Sequence, residues 1–346
     1  MKDKKWCFGL CAASFVLAGV FTVSTLLRSM PPAQASMPQI VVPVTTAPPT
    51  TAPTVPTTEP TGPALWYLTC ESLAKDMDAG HILVYDATQE SMLFCSTDPT
   101  DRMLPASISK LYSALVALMY LEPEWVITAG DELKLVKPGS SLAYIGRGHK
   151  LTVEMLIEAM LLPSGNDAAF VLAAAAGREI AADPKLSGTA AVEVFCQEMN
   201  REALRLGLTG SHFANPDGYH DDDHYSCPQD VALMASLALK EPVIAKYIGL
   251  QQDSVVFESG QHITWYNTNR LLNPDSPYYS PQAIGMKTGS TREAGNCLLA
   301  AFQHGQRQII IGIFGSENKT QRYADALSLL EAVSTRASPH RGINYK

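Results

Sequence analysis

Three short polar motifs stand at the edges of apolar segments far apart in the chain: Ser107-Ile108-Ser109-Lys110, Ser164-Gly165-Asn166 and Lys287-Thr288-Gly289. Alone, each has an ordinary local explanation. Ser107 reads as a helix N-cap with a solvated lysine one turn on. Ser164 to Asn166 reads as a capping loop, because Ser, Asn and Asp favour such places through local hydrogen bonds. Together, in this order, they require a fold that draws a helix start, an interhelical turn and a strand into one cleft.

The local settings agree with that requirement. Ile108 to Leu121 contains no Gly or Pro and is rich in Ala and Leu, so it reads as a buried helix. Ser107 and Lys110 are three apart and share a face in its first turn. A serine hydroxyl needs a nearby base to become a nucleophile. A lysine can be that base only if burial or a neighbouring cation lowers its pKa, and Lys287 is the candidate second cation. The helix N-terminus adds free backbone N–H groups beside the nucleophile. Ser164-Gly165-Asn166 follows the apolar run Met155 to Leu162 and Pro163, and precedes a helix from Asp167 to Ala176. There Ser164 can relay a proton and Asn166 can hold a substrate amide. Lys287-Thr288-Gly289 reads as a strand bordered by glycines, with Gly289 permitting close backbone approach by a ligand. Lys287 and Thr288 suit an anion, and an extended peptide could pair alongside the strand. The backbone N–H groups of Ser107 and Ser290 are candidate oxyanion donors.

These residues resemble the D-alanyl-D-alanine carboxypeptidases among the low-molecular-mass penicillin-binding proteins. The resemblance extends to Pro105-Ala106, Leu162-Pro163, Asp167-Ala168-Ala169, Met199-Asn200 with Leu206-Gly207, and Phe213-Ala214-Asn215-Pro216-Asp217-Gly218. It continues through His224-Tyr225-Ser226, Asn267 to Leu272, Gly285-Met286 and Arg322-Tyr323-Ala324-Asp325-Ala326, covering roughly residues 75–335. It implies that Ser107 is the acylated nucleophile and Lys110 its base. It implies that Ser164, Asn166 and Lys287 complete the proton and substrate network, and that Thr291 and Arg322 grip the substrate's terminal carboxylate. A guanidinium suits that carboxylate because its fork binds both oxygens.

Helix signals fall at 108–121, 151–162, 167–177, 189–206 and 320–333, and strand signals at 80–86, 91–95, 284–288, 297–303 and 308–315. Strands at both ends with helices between predict an α+β layout, an antiparallel sheet flanked by helices with an all-helical lobe. The resemblance implies the same β-lactamase/transpeptidase-like fold. Many relatives carry a further β-rich domain and a C-terminal amphipathic helix. Neither fits after Val333, which leaves the N-terminal segment as the evident anchor.

That segment, residues 1–30, begins with Lys2, Lys4 and Lys5 and continues as an apolar run of 22 residues from Trp6 to Leu27. The run is long enough to span a bilayer, while Ala33-Gln34-Ala35 resembles a signal-peptidase site. Membrane anchor and cleaved signal both remain open, and both place the rest outside the membrane. Residues 31–63 hold ten prolines and many threonines, a composition that forms an extended disordered linker. The domain of residues 64–346 carries a net charge of about −10, against −8 for the whole chain, which argues against nucleic-acid or anionic-lipid binding.

Of seven cysteines, Cys70, Cys95, Cys196, Cys227 and Cys297 lie in this domain without metal-ligand spacing. Cys70–Cys95 is a candidate bridge, and buried free thiols are the alternative. His212, His220 and His224 lie close to Asp217 and Asp221 to Asp223, but their spacing matches no zinc motif, and no metal or other cofactor is expected. Three function classes follow. The first is a serine carboxypeptidase removing the terminal D-alanine of peptidoglycan stem peptides and binding β-lactams, with a D,D-endopeptidase acting on cross-links as a subtype. The second is a class A-like β-lactamase, for which Glu198 and Glu202 are the candidate deacylating carboxylates. The third is a wall-binding module without turnover.

Overall fold

The computed structural model describes residues 65–334. The anchor or signal segment, the Pro/Thr-rich linker and the last twelve residues lie outside them. In chain order the elements are α1 (Leu65–Asp76), β1 (His81–Asp86), β2 (Ser91–Cys95), α2 (Ser109–Ala117), β3 (Val126–Thr128), β4 (Lys150–Thr152), α3 (Val153–Leu161), α4 (Asn166–Ile180) and α5 (Gly188–Leu206). They continue with α6 (Pro228–Lys240), α7 (Pro242–Ile248), β5 (Gln252–Val256), β6 (His262–Tyr266), β7 (Ala283–Thr291), β8 (Gly295–His304), β9 (Arg307–Ser316) and α8 (Gln321–Ser334).

Five strands form one antiparallel sheet in the order β2-β1-β9-β8-β7. Its central strands are nearly continuous apolar runs because both faces are covered. Successive side chains alternate between faces. Leu83, Tyr85, Leu299, Ala301, Ile310 and Phe314 join the core of the helical lobe. Ile82, Val84, Leu298, Ala300, Ile309 and Ile311 pack on the other side beneath α1 and α8. On α8 the buried Ala326, Leu329, Leu330 and Val333 recur at helical spacing and seal that second core. The chain is thus α+β, as its pattern of strands and helices indicated.

The helical lobe lies between β2 and β7 in sequence. The Thr152 hydroxyl caps α3 by accepting from Met155 N at 3.1 Å, and Ser187 caps α5 by accepting from Ala190 N. At Gly177, α4 crosses α5 so closely that a Cβ would fall 1.8 Å from the Ala191 carbonyl oxygen. This contact brings α4, which starts at Asn166, against the lobe's core. All five cysteines of the described residues are free, four of them buried, so the Cys70–Cys95 bridge is not formed. Cys70 instead fills the core between α1 and the sheet.

Candidate active site

Ser107 lies in a single 3-10 turn, Ala106–Ile108, just before α2. The helix read from 108 therefore begins one residue later and ends at Ala117. Ala106 has φ +49°, a left-handed conformation that costs an alanine free energy and persists only where the surroundings over-determine it. Two glycines supply those surroundings. A Cβ on Gly218 would meet Ala106 O at 2.0 Å, and one on Gly289 would meet Ala106 Cβ at 2.9 Å and Ser107 N at 3.0 Å. The space read at Gly289 as room for a ligand is taken by the turn that carries Ser107. Gly289 thereby sets the distance between β7 and Ser107.

Lys110 is wholly buried one turn into α2. Its Nζ lies 2.9 Å from Ser107 Oγ, 2.8 Å from Asn166 Oδ1 and 2.5 Å from the Asp217 carbonyl oxygen. Burial brings its pKa down to about 8, against the opposing pull of Asp217 and Asp167. A second cation is not what lowers it. The repulsion between the two lysines falls on Lys287, whose pKa is held well below the ordinary lysine value by burial, then Lys110, then Arg322. Lys287 Nζ donates to Thr288 O at 3.0 Å.

Asn166 is the first residue of α4. Its Oδ1 faces Lys110, while its Nδ2 donates to Ser140 Oγ at 2.9 Å and its backbone N–H donates to Ser141 O at 2.8 Å. The next residue, Asp167, accepts from Ala143 N and Ile145 N, both at 2.9 Å. Trp265 Nε1 donates to Ala143 O at 3.1 Å. The 138–146 loop is thus fastened along one wall of the cleft. Ser164 sits at φ +64°, and its hydroxyl makes no hydrogen bond among the described residues.

Two hollows meet at Ser107. One, of about 400 Å³, is lined by Ser164, Thr268, Thr288, Gly289, Ser290 and Arg322, with Arg270 and Lys319 at its margin. The other, of about 530 Å³, is lined by Ser140, Asn166, Tyr219, Thr291, Arg292 and Glu293. Ser290 lines both hollows, with Thr291 on one side of it and Arg322 on the other. The Thr291 hydroxyl accepts from Ala294 N at 2.9 Å in the β7–β8 turn, while Thr288 shares the hollow with Arg322. Thr288 Oγ1 pairs with Thr268 Oγ1 at 2.6 Å. Arg322 is buried, and its NH1 donates to Gly289 O at 3.1 Å and Cys297 O at 2.6 Å. One arm of its fork thus ties β7 to β8.

Sequence patterns gave no site role to Asp217 or Thr268, although both lie in segments that carry the resemblance. Asp217 meets Lys110 through a backbone carbonyl, which side-chain motifs do not encode. Thr268 meets the site through Thr288, across segments distant in sequence. The histidines have separate uses. His224 Nε2 pairs with Ser109 Oγ at 2.7 Å, with burial pushing the imidazole down to about 4, and His212 Nδ1 pairs with Asp223 O. No group of three metal-ligating side chains occurs among the described residues.

The geometry agrees with what the chain resembles. The chain is 29% identical over 244 residues to D-alanyl-D-alanine carboxypeptidase DacF of Bacillus subtilis, covering 69% of this chain and 58% of that protein. It is 32% identical over 238 residues to the D-alanyl-D-alanine carboxypeptidase of Streptomyces sp. K15, covering 66% of this chain and 78% of that protein. The crystal structure of the Streptomyces K15 DD-transpeptidase superposes with a TM-score of 0.65 at 28% identity, over 74% of this chain and 97% of that one. The chain thus spans somewhat over half the length of the Bacillus relative and most of the Streptomyces one. The peptidase S11 family model, D-alanyl-D-alanine carboxypeptidase, matches residues 69–318, and the chain belongs to that family.

Proposed function

We propose that the protein is a serine-type D-alanyl-D-alanine carboxypeptidase acting on peptidoglycan stem peptides, and that it is acylated by β-lactams at Ser107. The observation that carries this reading is the set of partners around Lys110 Nζ. Asn166 Oδ1 and the Asp217 carbonyl can only accept hydrogen bonds, so they take two N–H groups of Lys110. The third position of Nζ faces Ser107 Oγ, and it becomes a lone pair once the amine is neutral. Ser107 attacks the carbonyl of the penultimate D-alanine as Lys110 takes its proton, and the proton passes to the departing amine through Lys110 and Ser164. Water hydrolyses the resulting ester.

β7 is the sheet's edge strand, so its outer backbone groups are open to an extended peptide. The backbone N–H groups of Ser107 and Ser290 receive the developing oxyanion. Lys287, Thr288, Gly289 and Ser290 line the substrate strand, and Arg322 reads the terminal carboxylate of the leaving D-alanine. Thr291 lines the adjoining hollow, next to Ser290 on the same strand. The β-lactamase reading loses its candidate carboxylates. Glu198 is engaged by Tyr120 and Arg201, and Glu202 by Arg205 at 2.6 Å, with neither lining the two hollows at Ser107. Residues 64–346 are the catalytic domain in this reading. Residues 1–30 export it and either tether it to the membrane or are cleaved, and residues 31–63 give it reach through the cell wall.

The test is intact mass after incubation with benzylpenicillin, alongside release of D-alanine from a pentapeptide. One adduct on the peptide containing Ser107 is expected, with turnover of the pentapeptide. An adduct that survives Ser107→Ala, or rapid repeated penicillin turnover, would overturn the reading.

A further inference from the structure

The hollow that contains Arg322 has a composition its first task does not require. One terminal carboxylate needs one guanidinium, yet Arg270 and Lys319 line the same space, and none of its lining residues is an aspartate or glutamate. This holds in a chain with 34 acidic and 26 basic residues. The hollow on the other side of Ser107 is mixed in sign, with Arg292 beside Glu293. Both extra cations are exposed, and neither makes a hydrogen bond or ion pair among the described residues. Their backbones are nevertheless fixed. Asn269 caps the Arg270 turn by accepting from Leu271 N at 3.1 Å and donates from Nδ2 to Gly285 O at 3.2 Å, which seats the turn against β7. Asn318 Oδ1 accepts from Thr320 N and Gln321 N, which holds the Lys319 loop at the start of α8. Two unpaired cations on separate anchored segments, facing an acid-free hollow, focus the field toward an anion.

We infer that Arg270 and Lys319 form a second anion subsite on the leaving-group side, selecting a leaving residue that carries an acidic group besides its terminal carboxylate. The inference rests on the proposed D,D-peptidase reading and names its leaving group. The chemistry is unchanged: the amide between the D-alanine carbonyl and the leaving amine breaks, the amine departs with one proton, and one water completes the acid. Two sources present such a leaving group. One is a stem peptide ending in an acidic D-amino acid, and the other is a cross-linked stem whose leaving strand bears further carboxylates.

The test uses the full chain with three peptides, diacetyl-L-Lys-D-Ala-D-Ala, diacetyl-L-Lys-D-Ala-D-Gln and diacetyl-L-Lys-D-Ala-D-Glu, and a purified cross-linked muropeptide dimer. Wild type should favour D-Glu over its neutral isostere D-Gln by about 3- to 10-fold in kcat/KM at low salt, the range exposed ion pairs supply. In Arg270→Gln/Lys319→Gln that preference should fall to near unity, while D-Ala release stays within about twofold. A matching loss on the dimer assigns the cross-linked source, and its absence assigns the acidic terminus. If D-Ala is released but D-Glu is not favoured, or the preference survives the double substitution, the subsite is refuted. If wild type neither cleaves D-Ala-D-Ala nor forms a penicillin adduct, the peptidase reading fails and the subsite with it.

Discussion

Lys110 Nζ lies 2.9 Å from Ser107 Oγ, and the two other groups it touches can only accept. The amine's orientation is therefore fixed before any substrate arrives. Its charge state is the remaining variable, and burial places that near pH 8.

Acylation should accordingly rise with pH through about 8 as Lys110 loses its proton. The sign follows from the base needing its lone pair. Lys110→Arg should lose acylation by about 10³-fold or more, since arginine does not deprotonate. The measurement is the second-order rate of penicillin acylation across pH. A flat profile in wild type, or near-normal acylation in the arginine variant, would remove lysine as the base.

The two glycines against the nucleophile's turn should differ in a defined order. Gly218→Ala forces a methyl into a carbonyl oxygen at 2.0 Å and strains a residue at φ +76°. It should cost at least ~2 kcal/mol of stability and most of the acylation. Gly289→Ala meets Ala106 Cβ at 2.9 Å and the backbone of Ser107 and Pro105 at 3.0–3.2 Å, so β7 and the turn must move slightly apart. It should slow acylation about tenfold and cost less stability than Gly218→Ala. Thermal melts and acylation rates on both variants check the ranking.

In the proposed reading Arg322 has two duties, and its removal should reveal both. A charged hydrogen bond to a carboxylate is worth about 1.5–3 kcal/mol, so Arg322→Ala should cut efficiency on D-Ala-D-Ala by roughly 10- to 150-fold. NH1 also holds Gly289 O and Cys297 O. A C-terminally amidated substrate should therefore lose activity as well, by a smaller factor. Equal losses on acid and amide would leave only the β7–β8 tie.

Glu158 on α3 is buried, with Oε1 unpartnered, and burial pushes its carboxyl up to about 8, with Asp253 the next cause. A folded-state pKa above the unfolded value means the folded chain binds the extra proton. Its stabilising contribution is full below about pH 4.5 and is lost as pH rises through about 8. Glu158→Gln should remove that slope, and the gap between the two proteins should approach about 5 kcal/mol at high pH. Urea melts from pH 5 to 9 test it. Parallel curves would mean Glu158 stays ionised in the fold.

Much of this was legible in the sequence because its signals are periodic or chemically exclusive. The five strands of the main sheet and helices α2 to α5 and α8 lie within a few residues of where apolar periodicity placed them. Helix α6 escaped because Cys227-Pro228 reads as a break, although proline at the first helical position starts it. The β5–β6 hairpin escaped because its strands alternate half-buried and exposed residues and contribute few core side chains. In the site, Lys110 and Asn166 were readable as residue types. The seat that Gly289 makes for Ser107 and the contact of the Asp217 carbonyl with Lys110 were not, because each depends on how backbones meet across segments distant in sequence.

The sheet order carries one more consequence. β9 lies between β1 and β8, so the last strand of the sheet in sequence is the one that joins its two ends. Until Arg307–Ser316 is inserted, β1–β2 and β7–β8 are separate ribbons, and the sheet that backs the Ser107 turn is incomplete. A chain that emerges from its N-terminus carries the nucleophile for some two hundred residues before it can use it. In the proposed reading, reactivity toward an acylating ligand would then report that the last strand is in place.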